Sequence, residues 1–166
     1  MRAGWMIQLG ARSFATGFFL EFGLTSFGAI RLNPADAQLA RSHGVDALIV
    51  SNHGGRQLDS AVAALRVLPE IVACAGDMLV LMDGGIRRGT DVLKALALGA
   101  RFVFVGRPFN FAAAVAGEDG VAHAIGLLLD EVDRDMALLG VNRCADVGLQ
   151  HVRDARAPFW TEDAAR

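Results

Sequence analysis

The stretch that decides the fold is residues 47–56, which read ALIVSNHGGR. Its first four residues form a continuous apolar run, the pattern typical of a parallel strand that is buried on both faces. The run stops abruptly in polar residues and two glycines, which is typical of a strand end followed by a loop. We therefore predict a buried strand at residues 47–50 with a polar loop directly after it.

The same unit recurs further along the chain. Apolar runs at residues 78–82 and 102–105 also end in glycine with a charged side chain. Asn33 and Pro34 predict a helix start, because asparagine caps free amides and proline is tolerated in the first turn. The predicted helices lie at about residues 35–42, 60–68, 90–98 and 118–139. Alternating strands and helices predict an α/β fold with a parallel sheet of βαβ units.

Length and composition restrict the function classes. The 166 residues are fewer than the roughly 250 of a closed (β/α)₈ barrel, and they predict one ordinary domain. A hydrophobic fraction of 53% with 20% charged residues excludes disorder, and a net charge of −2 predicts no nucleic-acid partner. Cys74 and Cys144 lie in no metal-spacing motif, so we expect no metal site and a cytoplasmic location.

The first thirty residues differ from the rest of the chain. Phe14, Phe18 and Phe22 recur at helical spacing, which favours an amphipathic packing helix. Glu21 interrupts the apolar run, so we predict no clear membrane segment and no signal peptide. We interpret residues 1–30 as a lead-in, residues 31–150 as the domain and residues 151–166 as a polar tail.

Polar side chains follow each of the three predicted strands. The carboxyl ends of parallel strands meet at one edge of a sheet, and ligands bind there in α/β proteins. We therefore expect one binding site that brings together His53, Arg56, Asp83, Arg87 and Arg107.

Two glycine-containing strand ends are candidates for phosphate binding. The segment at residues 84–90 joins a strand to a helix, so its backbone amides and the positive end of that helix favour an anion. At the next strand end, Gly106 is followed by Arg107, whose guanidinium suits a bidentate contact with phosphate. The alternative is that the glycines only make tight turns and the arginines are solvated. Asp83 either caps its loop or accepts hydrogen bonds from ligand hydroxyls.

The loop after the first strand is the candidate for acid–base chemistry. His53 can take a proton near neutral pH, and Arg56 can hold a carboxylate in fixed geometry. This pair favours proton abstraction from a small substrate that carries a carboxylate. We expect the other three histidines, His43, His123 and His151, to be surface or core residues.

Together these motifs resemble the FMN-dependent α-hydroxy acid oxidases and dehydrogenases. The matching segments occur in the family's order and are SNHGGRQLD at 51–59, DGGIRRGTDV at 83–92, ALALGA at 95–100, GRP at 106–108 and MALLGV at 136–141. The resemblance covers about residues 33–147. It implies the C-terminal half of a (β/α)₈ barrel with about four βα units, FMN as the cofactor, and oxidation of an L-2-hydroxy acid to a 2-oxo acid.

The resemblance also implies a role for each candidate residue. His53 would take the proton from the substrate, Arg56 would bind its carboxylate, and Ser51 would lie near the flavin. The residues implied in holding the ribityl chain and phosphate are Asp83, Gly84, Gly85, Ile86, Arg87, Gly106 and Arg107.

The chain departs from the family's pattern at residues that support the flavin. The family places a lysine in the strand just before Asn33, and Ala29 stands at the expected position. The family's active-site tyrosines have no counterpart, because the chain contains no tyrosine.

Three hypotheses therefore stay open. The first is an FMN-dependent oxidoreductase, complete or partial, that acts on a small-molecule 2-hydroxy acid. The second is a non-catalytic half-barrel that binds FMN or phosphate weakly or only pairs with another half. The third is a different FMN- or sugar-phosphate-binding barrel. Because four βα units leave open sheet edges, we expect a homo-oligomer or pairing with another half-barrel.

Overall fold

The structure, a computed structural model, describes residues 27–30 and 33–155, and for residues 27–30 it describes the backbone alone. The strands are β1 (Phe27–Ile30), β2 (Ala47–Ser51), β3 (Leu79–Asp83) and β4 (Phe102–Phe104). The helices are α1 (Pro34–Ser42), α2 (Ala64–Ala75), α3 (Gly89–Ala97) and α4 (Arg107–Leu139). Single 3₁₀ turns lie at His53–Gly55, Cys144–Asp146 and Leu149–His151.

The four strands form one parallel sheet in the order β1-β2-β3-β4. Each strand is followed by a helix, so the predicted alternation is confirmed. The strand that the resemblance implies before Asn33 is β1, and Ala29 pairs in register with Ile49. The predicted helix start is also confirmed, because the Ala35 N–H donates to Asn33 Oδ1 over 3.0 Å.

The side chains of β2 and β3 alternate between the two faces of the sheet. Leu48, Val50, Val80 and Met82 pack with the helices in the main core. Ala47 and Leu81 lie on the other face, where they pack with Ile49, Leu79, Phe102 and Phe104. The described helices cover one face of the sheet, as they do in the wall of a barrel.

The alternation also positions the candidate site. Ser51 continues the series of Ala47 and Ile49 at the carboxyl end of β2, and Asp83 continues that of Leu79 and Leu81. Both polar residues therefore lie at the carboxyl edge of the sheet, on the face opposite the helices. We call this face, which carries Ala47 and Leu81, the inner face.

Two helices differ from the sequence prediction. The helix predicted at residues 60–68 begins only at Ala64, because Ser60 has a φ of 60° and belongs to the preceding loop. This helix, α2, continues to Ala75 and contains Pro69. The long helix predicted from residue 118 is preceded by a helical part at residues 107–115. Ala116 and Gly117 separate the two helical parts, since both residues have non-helical backbone angles.

By length and composition alone, α4 is apolar enough to cross a membrane. The break at Ala116 and Gly117 leaves a first part of about 13 Å, too short for a span of about 30 Å. The second part begins with Glu118 and Asp119 and carries further charges towards its end. We therefore interpret α4 as two consecutive helices rather than as one membrane-spanning helix.

Candidate functional site at the carboxyl ends of the strands

The loops that follow β2, β3 and β4 contact one another. A methyl group placed on Gly54 would lie 3.5 Å from Arg107 Nη2, so the Arg107 guanidinium lies against the loop that follows β2. A methyl group on Gly84 would lie 3.0 Å from Asn52 Oδ1. The structure thus brings residues from three strand ends together at one edge of the sheet.

A hydrogen-bond chain joins β2 to β3 at this edge. The Ser51 hydroxyl donates to Asp83 Oδ2 over 2.6 Å and accepts from the His53 N–H over 2.9 Å. Ser51 and Asp83 are register partners on the same face, which is why the two side chains meet. One oxygen of the Asp83 carboxylate therefore supports the serine rather than capping the loop at residues 84–88.

His53 is held in an unusual backbone conformation. Its φ is 55°, and Gly54 and Gly55 follow with φ of 65° and 73°. A side-chain-bearing residue in this left-handed region costs about 1–2 kcal/mol, and such strain clusters at functional sites. The bond from the His53 N–H to Ser51 and that from the Gly55 N–H to the Asn52 carbonyl, 3.0 Å long, hold the turn in place.

The His53 imidazole and the Arg56 guanidinium are both exposed at this turn. The Arg56 N–H donates to the His53 carbonyl over 3.2 Å, so a single turn of backbone joins the two residues. The structure thus places the predicted base and the predicted carboxylate-binding residue on one short, hydrogen-bonded segment.

The loop after β3 has the open space that an anion needs. Gly84 and Gly85 have φ of 96° and 84°, where glycine is favoured. Open space lies where a side chain would project from Gly85 and from Gly106. Ile86, by contrast, is buried in the main core, so only its backbone is available to a ligand.

The amino end of α3 differs from the expectation that its amides would face a phosphate. The N–H groups of Arg87 and Arg88 both donate to Asp91 Oδ2 over 3.1 Å. The Gly89 N–H donates to Glu131 Oε2 over 2.8 Å. Since carboxylates of the chain itself occupy these amides, the groups that remain for an anion are the Arg87 and Arg107 guanidinium groups and the backbone at Gly84, Gly85 and Gly106.

The adjacent arginines Arg87 and Arg88 have different environments. Arg88 forms an ion pair with Glu131, with Nη2 2.7 Å from Oε1 and Nε 3.1 Å from Oε2. The Arg87 guanidinium is exposed and has no ion pair within the described part of the chain. The pKa of Glu131 lies below its ordinary value, chiefly because of the Gly89 hydrogen bond and then the Arg88 guanidinium, while desolvation opposes the shift.

Sequence reasoning missed three residues that shape the site. Asp91 had a local signal, because an acidic residue at the third helical position is typical of a helix start. Asn52 contacts the Val62 carbonyl through Nδ2 and lies against Gly84, and its place within the motif was the available signal. Glu131 had no local signal, since its contact with Gly89 spans 42 residues.

A metal site and a reactive cysteine have less support in the described residues than the site at the strand ends. Residues 27–30 and 33–155 contain no cluster of three or more side chains suited to a metal ion. Burial and, to a lesser extent, Asp133 raise the pKa of the Cys144 thiol to about 11, so this cysteine is not an activated nucleophile.

A cavity of about 750 Å³ lies away from the strand ends. It is lined largely by apolar side chains of α2, α3, the end of α4 and residues 147–155, and it contains none of the predicted site residues. We locate the functional site at the strand ends instead, because the polar groups converge there.

Comparison with known sequences identifies relatives for most of the chain. The profile of the FMN-dependent dehydrogenase family matches residues 30–154. L-lactate oxidase of Nostoc sp. is 54% identical over 113 residues, 68% of this chain and 31% of the relative. 2-Hydroxyacid oxidase 2 of Rattus norvegicus is 48% identical over 126 residues, 75% of this chain and 36% of the relative. The chain therefore spans about a third of the length of the curated relatives that it matches.

Solved structures agree with the sequence match. A mutant of the active chimera of (S)-mandelate dehydrogenase superposes with a TM-score of 0.73 at 39% identity, over 76% of this chain and 36% of that one. Mandelate oxidase superposes with a TM-score of 0.66 at 51% identity, over 69% of this chain and 35% of that one. These neighbours are (β/α)₈ flavoenzymes, so the predicted fold class, the C-terminal half of such a barrel, is confirmed. The chain belongs to the FMN-dependent dehydrogenase family, whose cofactor is FMN.

Proposed function

We propose that the chain binds FMN at the carboxyl ends of β2, β3 and β4 and takes part in the oxidation of an L-2-hydroxy acid to a 2-oxo acid. The observation that carries this proposal is the contact among three strand-end loops, made by the pairs Ser51–Asp83, Asn52–Gly84 and Gly54–Arg107. Relatives named as L-lactate oxidase and glycolate oxidase support the chemistry.

The residues at the strand ends fit FMN. Arg87 and Arg107 are exposed cations beside glycines with open space, which suits the FMN phosphate. Asp83 uses Oδ2 for Ser51, and Oδ1 can accept a ligand hydroxyl such as those of the ribityl chain. We therefore assign the phosphate to the two arginines with Gly85 and Gly106, and the ribityl chain to Asp83.

The loop after β2 carries the proposed proton chemistry. FMN, when bound, would accept the two electrons and one of the two hydrogens that leave the substrate. Arg56 binds the substrate carboxylate through parallel N–H bonds, which fixes the carbon to be oxidised. His53 accepts a proton from the substrate, and its strained, hydrogen-bonded backbone restricts where the imidazole lies.

Flavin titration tests the binding part of this proposal. FMN fluorescence is followed as the full chain is added, for the wild type, Arg107→Met and Arg101→Met. Arg101 is a matched control, since it is exposed and lies at the opposite end of β4. We expect Arg107→Met to weaken FMN binding about 10–100-fold, the value of a charge-assisted contact, and Arg101→Met to change it less than about twofold. A wild-type chain that does not bind FMN would contradict the proposal.

A non-catalytic FMN-binding half-barrel is the second candidate. Ala29, on β1 opposite Ile49, favours it, because the family's pattern has a lysine at this position. Anaerobic addition of lactate, glycolate or mandelate to the FMN-loaded chain separates the two functions. Loss of the absorbance of oxidised flavin supports catalysis, whereas unchanged absorbance with FMN still bound supports the non-catalytic alternative.

A further inference from the structure

Glu131 connects the last long helix to the loop of the proposed phosphate site. It lies on α4, and its carboxylate contacts both the Gly89 N–H and the Arg88 guanidinium at the start of α3. Its side chain is only 19% exposed, so these contacts are more persistent than those of a fully solvated ion pair.

The two helices are in direct backbone contact at this point. A methyl group on Gly89 would lie 2.7 Å from the Glu131 backbone carbon and 2.7 Å from the Val132 nitrogen. Val132 is itself buried in the main core. Because no side chain separates α3 from α4, the Glu131 carboxylate reaches the first amides of α3 with little freedom to move.

The contact has a consequence for the two adjacent arginines. Arg88 donates hydrogen bonds to the Glu131 carboxylate through both Nε and Nη2. The negative charge of Glu131 thus compensates the positive charge of the guanidinium, which is directed towards α4. Asp91 fixes the backbone of both arginines through their N–H groups. Arg87 is the arginine of this loop whose guanidinium is not engaged by a carboxylate in the described part of the chain.

We propose that Glu131 is a positioning residue for the FMN phosphate. It fixes the loop at residues 84–88 against the start of α3 and pairs with Arg88, so that Arg87 alone of the two arginines binds the phosphate. This inference rests on the proposed function, because it assigns roles within the same phosphate site. Glu131 acts through the loop and has no contact with the ligand.

The direction of the change in FMN affinity distinguishes a positioning role of Glu131 from a direct effect of its negative charge on the ligand. Removal of a carboxylate near the site makes the local potential more positive and, by itself, strengthens the binding of an anion. Loss of a positioning contact weakens it, because the loop must then be ordered when the ligand binds. Glu131→Gln keeps the shape of the side chain and removes the charge, so the two effects give opposite results.

The experiment compares FMN with riboflavin, which lacks the phosphate, on the full chain. We expect Glu131→Gln to weaken FMN binding about tenfold and to leave riboflavin binding unchanged, as expected for a lost charge-assisted contact. Asp130→Asn is the matched control, since it removes a charge from the adjacent, exposed residue of α4. It should leave the affinity for both flavins within about twofold, the change expected of a screened surface charge.

Two arginine variants complete the test. Arg87→Gln should weaken FMN binding about tenfold without affecting riboflavin, whereas Arg88→Gln should have less than about a twofold effect on either. Equal losses for FMN and riboflavin in Glu131→Gln would overturn the proposal, as would tighter FMN binding. A loss of FMN affinity in Arg88→Gln as large as that in Arg87→Gln would overturn it as well.

A measurement without ligand separates this inference from the proposed function. Hydrogen exchange at the Gly89 amide and the NMR signal of Arg88 Nε report the Glu131 contacts directly. If the wild type binds neither flavin, the proposed function is wrong and a role for the phosphate falls with it, and exchange then decides only whether Glu131 fixes the start of α3. Faster Gly89 exchange in Glu131→Gln than in Asp130→Asn supports it, and equal exchange overturns it.

Discussion

At the scale of single residues, the site depends on side chains that restrain one another. Ser51 accepts from the His53 amide and donates to Asp83, so one hydroxyl restrains both the proposed base and the end of β3. The motif around His53 could be found in the sequence because its residue types are unusual together. The bond between Ser51 and Asp83 could not, since it depends on the register of β2 against β3.

The first prediction concerns His53. His53→Gln removes the proposed base and keeps a side chain of similar size, so FMN binding should be retained. Substrate oxidation should fall at least about 100-fold, the usual contribution of a positioned general base. Anaerobic reduction of bound FMN by lactate, glycolate or mandelate measures the rate.

His123→Gln is the control for the first prediction, since His123 is exposed on α4, away from the strand ends. It should leave the rate unchanged. Equal rates for the wild type and His53→Gln would exclude His53 as the base.

At the scale of helices and strands, the sequence predicted best where hydrophobic periodicity and caps coincide. Asn33 and Pro34 predicted the start of α1, and the apolar runs predicted all of β4 and all but the last residue of β2 and β3. The start of α2 was predicted too early, because the left-handed backbone of Ser60 has no signal in a serine. The packing of α3 on α4 was also invisible, since Gly89 looks locally like part of a phosphate loop.

The second prediction tests that packing. Gly89→Ala places a methyl group 2.7 Å from the backbone of α4, so we expect it to destabilise the fold by about 1–3 kcal/mol through overpacking. Chemical denaturation followed by circular dichroism measures the free energy of unfolding.

Gly126→Ala provides the matched comparison for Gly89→Ala. Gly126 also lies in a helix, but open space lies where its side chain would project. There the higher helix propensity of alanine should stabilise the chain by about 0.5–1 kcal/mol. Similar effects of the two substitutions would mean that α3 and α4 are not in close contact.

The third prediction concerns acid stability and Glu131. Its pKa is lowered from the ordinary 4.5 in the folded chain, so the charged form stabilises the fold at pH values above 4.5. This stabilisation is lost as the pH falls through the lowered pKa. At pH 7 the wild type should be more stable than Glu131→Gln by about 1 kcal/mol, because solvent screens a pair whose Arg88 side chain is largely exposed.

Unfolding at a series of pH values between 7 and 3 checks the third prediction. The difference between the wild type and Glu131→Gln should shrink as the pH falls below 4.5, because the protonated carboxyl resembles the glutamine. A difference that stays constant over this range would show that the charge of Glu131 does not stabilise the fold.

At the scale of the whole molecule, the sheet presents two apolar faces while the described helices cover one. Ala47 and Leu81 are buried on the inner face, and Ile49 and Leu79 are half-buried beside them. Within the described strands, β1 and β4 each have one neighbour, so the sheet has two edges. Parallel sheets are buried on both faces in (β/α)₈ barrels, and exposed edges favour pairing with another chain.

The fourth prediction is that the chain associates through this inner face and these edges, because two four-stranded sheets supply the eight strands of a closed barrel. Sedimentation equilibrium should give a mass above the 17.6 kDa of one chain, increasing with concentration. Ile49→Lys places a charge on the inner face and should shift the mass towards that of one chain. Leu39→Lys should not, because Leu39 is 58% exposed on the outer helix α1. Circular dichroism verifies that both variants are folded, and a wild-type mass of 17.6 kDa at every concentration would contradict the prediction.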